Sequence, residues 1–513
     1  MNGLPLISIL TFLPLLGAAL VFGVDRERRQ LARGLTLAVN ILALGVVAAL
    51  WVNSAPSGGM QFVERHLWIP TLGIEYHVGL DGLGLVMLML AALVIPMAVL
   101  ASEQVEENVP LYCGLFLFLQ AGLFGAFTAL NFFHWFLFWE LSLIPAFFLI
   151  KLWGGSQRSE AALQFFVYTM VGSIALLLAF LGLFLATGTF DFTKLADLAR
   201  AKTLGPLVQS KFAWLGWGAG KAYLVLFLGA LLGFAVKVPL WPFHTWLPLT
   251  YSEAPSPVSM ALTGVMSKLG VYGFVRLLLP IFSEPMQAVL TPLLWLAVAT
   301  IVLSAFAALA QRDLKRILAY SSINHLGYCL LGVFAAASAT GSALDRTAAL
   351  NGVVLQMFNH GITASLLFFF VAFLEERSRG ARGLADFGGL RKVAPIFCGL
   401  MGLALFSSLG LPGLNGFIGE FLIFKGVFPL APWAAVLALP GLLVTAIFIL
   451  TVIQRVWCGP LNEKWSGFAD LTYNEGAVVF PATLLMFVLG VWPQFILTAI
   501  NPTVTHWVRQ LPF

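Results

Sequence analysis

Long apolar segments alternate with short polar ones along the whole chain. A helix needs about 20 mostly apolar residues to cross the hydrocarbon core of a bilayer. By that measure the pattern predicts an all-α polytopic membrane protein with about 14 transmembrane helices. We place them at residues 3–24, 34–52, 82–101, 111–130, 132–153, 161–187, 221–250, 256–279, 286–310, 314–336, 347–374, 395–428, 433–456 and 477–500.

Two of these segments are too long and too interrupted to form single straight helices. Segment 221–250 contains several prolines, and segment 395–428 contains the sequence LGLPGLNG at 409–416. Broken helices at membrane depth occur only where they are buried in protein or line a wet cavity. Because the breaks fall in predicted helices 7 and 12, they indicate two inverted five-helix repeats, helices 4–8 and 9–13. Ordinary proline kinks are the alternative.

The repeats divide the chain into four parts. Three N-terminal helices occupy 1–110, the two repeats occupy 111–280 and 281–456, and a C-terminal helix with its tail occupies 457–513. Cytoplasmic loops carry an excess of Lys and Arg. This rule favours both termini outside, with the loop at 188–220 as the main exception. We expect the protein in a bacterial plasma membrane, with a thylakoid membrane as the alternative.

The composition is that of a chain surrounded by lipid. Of its 513 residues, 60% are hydrophobic and only 10% are charged, whereas a soluble domain carries roughly 25% charged residues. The aromatic content of 13% excludes a disordered chain. The net charge of +5 therefore bears on topology and gives no support to nucleic-acid binding.

A few ionisable residues remain inside the predicted helices. A charge at the bilayer centre costs roughly 2.5–3.5 kcal/mol on insertion scales, so such residues are functional by default. A purely structural ion pair, such as Glu140 with Lys237, is the alternative for two of them. The candidates for the functional site are Glu140, Lys237, Lys268, His325, His360 and Glu420.

This mixture of residue types favours proton movement. A carboxylate near a buried lysine changes how readily the lysine releases its proton, and histidine titrates close to neutral pH. A sodium or potassium site would instead need clustered oxygen ligands, for which Asn324, Asn359 and Thr363 are the candidates. His244, at the first break, is a candidate for lining the proton route.

Redox and metal chemistry have no support in the sequence. The four cysteines are isolated, so neither iron–sulfur nor structural zinc sites are expected. No Gly-rich nucleotide loop follows a strand. We therefore expect no cofactor and no metal on this chain. We place His66, His77 and His506 at the outer interface.

Several short motifs resemble those of the antiporter-like subunits of respiratory complex I. They are FWELSLIP at 138–145, AVKVPLWPFHTWLP at 235–248 followed by EAP at 253–255, GVMSKLG at 264–270, SINHLGY at 322–328 and GLDGL at 79–83. The similarity covers about residues 80–500. Glu420 points to the M-type (chain 4) subunits within this family, because the L- and N-type subunits and the Mrp antiporters tend to have Lys there.

The resemblance implies a fourteen-helix, proton-translocating subunit in the membrane arm of an NADH- or ferredoxin-linked quinone oxidoreductase. Glu140 would modulate Lys237, the candidates on helices 8, 10 and 11 would form a central relay, and Glu420 would be the terminal site towards the outer side. NADH, FMN, iron–sulfur clusters and quinone would be bound by other subunits. The partners would be the L-, N- and K-type subunits and the lipid bilayer.

The sequence departs from the family pattern at 249–251, where Leu-Thr-Tyr replaces an Asp and a His that the family commonly carries. The proton inlet would then use other groups, such as His244 or Glu253, with Asn324 as a further channel-lining candidate. The departure leaves room for a specialised complex. The alternative function is an Mrp-like cation/proton antiporter, or an ion-channel module of a hydrogenase or inorganic-carbon uptake complex.

Overall fold

The computed structural model describes residues 4–511, most of which lie in α-helices. The N-terminal part begins with two helices, continues with an antiparallel hairpin and ends with a third helix. Their bounds are α1 Leu6–Phe22, α2 Arg29–Asn53, β1 Gln61–Ile69, β2 Ile74–Leu80 and α3 Gly82–Leu100.

The hairpin corrects the all-α prediction, which expects only a polar loop before α3. Strands β1 and β2 place Arg65 opposite His77. Gly73 turns the chain between them with a φ of 61°, which glycine adopts without strain. A two-stranded hairpin is marginal alone, and here the Glu64 carboxylate accepts a hydrogen bond from the backbone N–H of Ile7 at 2.8 Å. Such long-range support is invisible in the local sequence.

The next five helices include two short ones that occupy the loop predicted at 188–220. Asp191 caps the first of these short helices by accepting hydrogen bonds from the backbone N–H groups of Thr193 and Lys194. The five helices are α4 Val109–Thr128, α5 Phe132–Trp153, α6 Arg158–Thr187, α7 Phe192–Arg200 and α8 Leu204–Lys211.

The first predicted break is present. Helix α9 spans Lys221–Lys237 and α10 spans Trp246–Glu253, and the residues between them include Pro239 and Pro242, which lack the N–H that a helix needs. The following helix, α11, runs continuously over Ser256–Ile281. It contains π-helical turns at 262–266 and 274–278, a rare feature that is frequent at functional sites.

The second half contains the longest helix and the second break. Residues 410–414 separate two helices within the predicted segment 395–428. The helices of this half are α12 Ser283–Ala288, α13 Leu290–Ala310, α14 Leu314–Ala336, α15 Ala343–Arg377, α16 Pro395–Leu409, α17 Asn415–Leu430, α18 Pro432–Val456, α19 Tyr473–Val491 and α20 Gln494–Gln510.

Within residues 4–511, 11 helices are long and apolar enough to cross a membrane. The predicted segment 3–24 corresponds to α1, which has 17 residues; Gly3 lies outside the described residues. The last predicted segment, 477–500, is not one helix, because α19 ends at Val491 and α20 begins at Gln494. Pro493 explains this break, since proline disfavours the helical conformation in the residue before it.

Helices α4, α11, α14 and α15 lie almost entirely inside the protein, whereas α2, α18 and α19 lie at its periphery. A helix that is apolar on all sides is expected to be buried. Three of the ionisable candidates belong to the inner helices, with Lys268 on α11, His325 on α14 and His360 on α15. The interior of the fold therefore surrounds these three side chains.

Candidate functional site

The first half of the site joins α14 to α17 through His325 and Glu420. The Nδ1 atom of His325 lies 2.9 Å from Oε1 of Glu420, and its Nε2 atom lies 3.1 Å from Oγ of Ser408. Gln356 donates to the same Glu420 oxygen at 3.3 Å. Both nitrogens of a buried imidazole are thus bonded, and the carboxylate is held on one side of it.

The second half joins α11 to α15 through Lys268 and His360. The Lys268 side chain is fully buried, and its Nζ atom lies 2.8 Å from Nδ1 of His360. It also donates to the backbone carbonyl of Thr263, inside the first π-helical turn. The ring centroids of His360 and His325 are 5.0 Å apart. Four of the six predicted residues therefore form one line of neighbouring side chains, made of two hydrogen-bonded pairs whose imidazole rings face each other.

The second break places Glu420 in this line. Asn359, one residue before His360, donates to the backbone carbonyl of Asn415 at 2.7 Å, and Asn415 donates back to the carbonyl of Asn359 at 3.3 Å. Gly410 has a φ of 83°, and a Cβ atom there would lie 2.9 Å from Oε2 of Glu420. The interrupted backbone is thus satisfied by α15, as membrane depth requires.

Lys237 and Glu140 lie apart from this line. Lys237 ends α9 and is buried, with its Nζ atom 5.0 Å from the ring centroid of Trp139. Glu140 is half-buried, and its Oε1 atom has no hydrogen-bond partner. Within residues 4–511 no contact of 4.0 Å or less joins the two charges. They interact electrostatically but do not form the direct ion pair that the sequence left open.

Helix α11, which carries Lys268, packs closely against the end of α9 at Lys237. A Cβ atom at Gly270 would lie 3.2 Å from the backbone carbonyl carbon of Lys237, so the missing side chain allows this close approach. Lys268 lies two residues before Gly270. In the part of the chain that the structure describes, no hydrogen bond connects Lys237 to Lys268. The two regions are neighbours without direct contact.

Glu253 belongs to a charged cluster at the end of α10. Its Oε1 atom lies 3.4 Å from Arg382, which also contacts Asp313 at 2.5 Å and Glu375 at 3.7 Å. Lys315 completes the cluster, 3.0 Å from Glu375. A cavity of about 330 Å³ adjoins this cluster, and Glu253, Lys315, Glu375 and Arg382 all line it. The cluster therefore has space for water beside it.

The other two candidates for channel lining lie elsewhere. His244 is half-buried at the first break, with its Nδ1 atom unbonded. Asn324 donates to the carbonyl of Ile301 at 2.8 Å and accepts from Thr445 at 3.3 Å. Asn324 thus ties α14 to α13 and α18 and takes no part in the His325 contacts, although it is the adjacent residue.

The proposed oxygen ligands for an alkali cation are engaged in packing. Asn359 bonds to the second break, and Oγ1 of Thr363 lies 3.1 Å from Oγ of Ser407. Ser407 in turn donates to Asn415 at 2.5 Å, so Asn359 and Thr363 share one hydrogen-bond network. Asn324 bonds to Ile301 and Thr445 instead, so the described hydrogen bonds do not join all three residues.

Sequence reasoning missed one buried and one partly buried ion pair and misjudged one histidine. Asp81 and Arg276 form a bidentate pair with N–O distances of 2.5 and 2.6 Å. Lys315 pairs with Glu375 as described above. His77, expected at an interface, is buried, and its Nδ1 atom lies 2.9 Å from Oδ2 of Asp191. These residues lie near the ends of the predicted helices or in the polar segments between them, so a search for charges at helix centres overlooks them.

A family model described as NADH:quinone oxidoreductase/Mrp antiporter, TM, matches residues 129–447. This match extends from before α5 to within α18 and covers more than half of the chain. The chain belongs to this family.

Relatives within the family match along nearly the full length. Subunit M of the NADH-quinone oxidoreductase from Rhodobacter capsulatus is 35% identical over 513 residues, which cover 98% of this chain and 96% of the relative. Subunit M of the F(420)H(2) dehydrogenase from Methanosarcina mazei is 36% identical over 504 residues, 96% of each chain. The expected resemblance to M-type subunits is confirmed.

The fold of the family is also present in solved structures. A chain of respiratory complex I from Thermus thermophilus with bound NADH is 28% identical, with a TM-score of 0.85. The match covers 98% of this chain and 99% of that one. The architecture of a complex I membrane subunit is therefore shared over the whole described chain.

Proposed function

We propose that this chain translocates protons as an M-type subunit in the membrane arm of a quinone oxidoreductase complex. The observation that carries the proposal is the line of neighbouring side chains from Lys268 through His360 and His325 to Glu420. Each of these four groups can hold or release a proton. The sequence similarity of this chain to subunits M of NADH-quinone oxidoreductase and F(420)H(2) dehydrogenase supports the same assignment.

The line suits a proton better than a metal cation. The 2.8 Å contact lets an ammonium proton of Lys268 pass to Nδ1 of His360, and the 2.9 Å contact links His325 to Glu420. Between the two imidazoles, ring reorientation or a water completes the path, because the centroids are 5.0 Å apart. The protonated forms of neighbouring Lys and His side chains repel each other, so the line is expected to carry one excess proton at a time.

Glu140 modulates Lys237 by changing its distance from the ammonium group. Two unit charges 4 Å apart interact by about 4 kcal/mol at an effective dielectric of about 20. The pair is farther apart than that in this structure, so closing the gap would strengthen the hold on the Lys237 proton. Opening it would favour release towards Lys268.

Protons enter, on this proposal, through the charged cluster around Glu253 and leave beyond Glu420. The cluster replaces the Asp and His that the sequence lacks at 249–251. Its adjoining cavity supports hydration. His244 is a second inlet candidate, because its Nδ1 atom is unbonded at the first break.

The topology we propose has 14 crossings with both termini outside. Contacts between distant parts of the chain support an even number of crossings: Gly82 at the start of α3 bonds to Thr503 on α20, and His77 bonds to Asp191. The cluster of Glu253, Asp313 and Arg382 would lie on the opposite, cytoplasmic side. The membrane is the bacterial plasma membrane, and the neighbours are the L-, N- and K-type subunits.

The chain would take part in the enzyme complex without binding a redox cofactor. NADH, FMN, iron–sulfur clusters and quinone would be held by other subunits. The proposed work of this chain is confined to proton transfer in its buried side chains.

The test is coupled proton pumping by the assembled complex in proteoliposomes. Replacing Glu140 or Lys237 with Ala should abolish the pumping that depends on this subunit, because the first removes the modulating charge and the second the group it acts on. Glu106→Gln is the matched control, since Glu106 is largely exposed. Unchanged proton stoichiometry in both Ala variants would contradict the proposal.

A cation/proton antiporter of the Mrp type is the alternative. Two results would favour it: a sodium requirement for transport, and the absence of iron–sulfur and quinone-site subunits from the purified complex. Co-purification with those subunits and sodium-independent pumping would support the oxidoreductase assignment.

A further inference from the structure

A compact group of metal-ligating side chains lies outside the relay, where β2 meets the start of α7. Glu75 and His77 are two residues apart on β2, so they share one face of the strand. The ligand atoms of Glu75, His77 and Asp191 all lie within 4.8 Å of one another. His77 and Asp191 are buried, and the Glu75 side chain is 24% exposed.

Asp191 divides its two oxygens between two tasks. Its Oδ1 atom accepts hydrogen bonds from the backbone N–H groups of Thr193 and Lys194 and so caps α7. Its Oδ2 atom contacts only His77 among the described hydrogen bonds. A metal can therefore take Oδ2 without disrupting the cap, and the cap would orient the carboxylate as partners of ligating carboxylates do.

Two of the three ligand atoms already lie about as far apart as in a tetrahedral zinc site. Ligand atoms of a tetrahedral zinc site, bound at about 2.0–2.1 Å, lie roughly 3.3 Å apart. The Nδ1–Oδ2 distance between His77 and Asp191 is already 2.9 Å. Glu75 has the farther to move, and its partly exposed side chain has the freedom to do so.

Arg65 competes for the same carboxylate. It lies opposite His77 in the hairpin and donates to Oε2 of Glu75 at 2.9 and 2.7 Å. The Oε1 atom of Glu75 stays available. Two carboxylates and one neutral imidazole carry two negative charges, which match a divalent cation.

We propose that Glu75, His77 and Asp191 bind Zn²⁺, with water as the fourth ligand. The ion would link the hairpin to the start of α7, since His77 and Asp191 are 114 residues apart. A ligand that binds only the folded state stabilises it. Bound Zn²⁺ would therefore stabilise the part of the protein that we place on the outer side of the membrane. This effect would not depend on proton transfer.

The test is metal binding by the full chain purified in detergent and stripped with EDTA. Co²⁺ is titrated in, because its visible absorption bands report tetrahedral coordination, and Zn²⁺ is then added to displace it. We expect one bound ion per chain and a higher melting temperature with Zn²⁺. His77→Gln and Glu75→Gln should each weaken binding at least tenfold.

Two further variants keep the outcome decisive. His66→Gln changes a histidine on the neighbouring strand outside the cluster and should bind as wild type does. Arg65→Gln leaves all three ligands in place, removes the competing cation and should bind Zn²⁺ more tightly. No tetrahedral Co²⁺ spectrum in the wild type, or unchanged affinity in the His77, Glu75 and Arg65 variants, would overturn the proposal.

Discussion

The Nδ1 atom of His325 lies 2.9 Å from Oε1 of Glu420, although 95 positions separate the two residues in the chain. The contact exists because the second break lets α17 present Glu420 to α14. It places a titratable ring between His360 on one side and a carboxylate on the other. This arrangement makes His325 the residue whose removal interrupts the proposed line most directly.

Replacing His325 with Gln should lower proton pumping by the assembled complex by on the order of tenfold or more, the scale on which positioned acid–base groups act. Glutamine can keep a hydrogen bond to Glu420 but cannot carry the proton. The measurement is proton uptake per quinone reduced in proteoliposomes. Ser408→Ala, which removes only the second hydrogen bond of the ring, should have a much smaller effect. Full pumping by the Gln variant would contradict the relay.

Replacing Lys268 with Met should separate activity from stability. The side chain is fully buried, and an intramembrane charge costs roughly 2.5–3.5 kcal/mol on insertion scales. The neutral variant should therefore melt no lower than the wild type while losing proton pumping. Lys268→Arg should also lose pumping, because guanidinium does not release its proton in proteins. A Met variant that unfolds and an Arg variant that pumps would together indicate a structural role.

The sequence could predict the relay because its members are locally anomalous. Lys268, His325 and His360 stand in apolar helices, where the cost of burial alone singles them out. Their contacts with one another arise from helix packing and have no local sign. Gln356, which donates to Glu420, is uncharged and carries a smaller burial penalty. The cost of burial therefore does not single it out in the sequence.

The β-hairpin and the pair of Asp81 and Arg276 could not be predicted from the hydrophobic pattern, because both depend on tertiary contacts. The hairpin falls in a polar segment, and its strands are supported by α1 and by the chain before α5. Asp81 precedes α3 and Arg276 lies near the end of α11, positions where charges ordinarily face water or lipid headgroups. Only the fold reveals that they meet in the interior.

Breaking the pair between Asp81 and Arg276 should strongly destabilise the protein. Both side chains are buried, and removing one partner of a buried pair costs about 3–5 kcal/mol because the other charge stays uncompensated. Arg276→Met should therefore unfold at lower denaturant concentration than the wild type. Adding Asp81→Asn should recover part of that loss.

The control for this pair is the exposed contact between Arg29 and Glu106, 3.4 Å apart. Exposed pairs contribute about 0–1 kcal/mol, so Glu106→Gln should change the unfolding midpoint little. Equal effects of the Arg276 and Glu106 variants would show that burial of the first pair has no energetic consequence.

Asp191 should make stability depend on pH in the acid range. Burial would raise its pKa, but hydrogen bonds from His77, Thr193 and the backbone of Lys194 outweigh burial and hold the pKa below its ordinary value. A depressed pKa means that the folded state favours the ionised form. The Asp191 charge therefore contributes fully to the free energy of unfolding above the ordinary aspartate pKa of about 3.9. This contribution is lost as the pH falls towards the lower pKa of Asp191 in the folded protein.

Asp191→Asn isolates this charge, because asparagine is also a good helix N-cap. The melting temperature of the variant, measured with EDTA present, should lie below that of the wild type at about pH 5. The difference should shrink below about pH 4. Asp197→Asn, an exposed change on the same helix, should show no such trend. A difference that persists unchanged into acid would mean that Asp191 stabilises the hairpin junction by shape and not by charge.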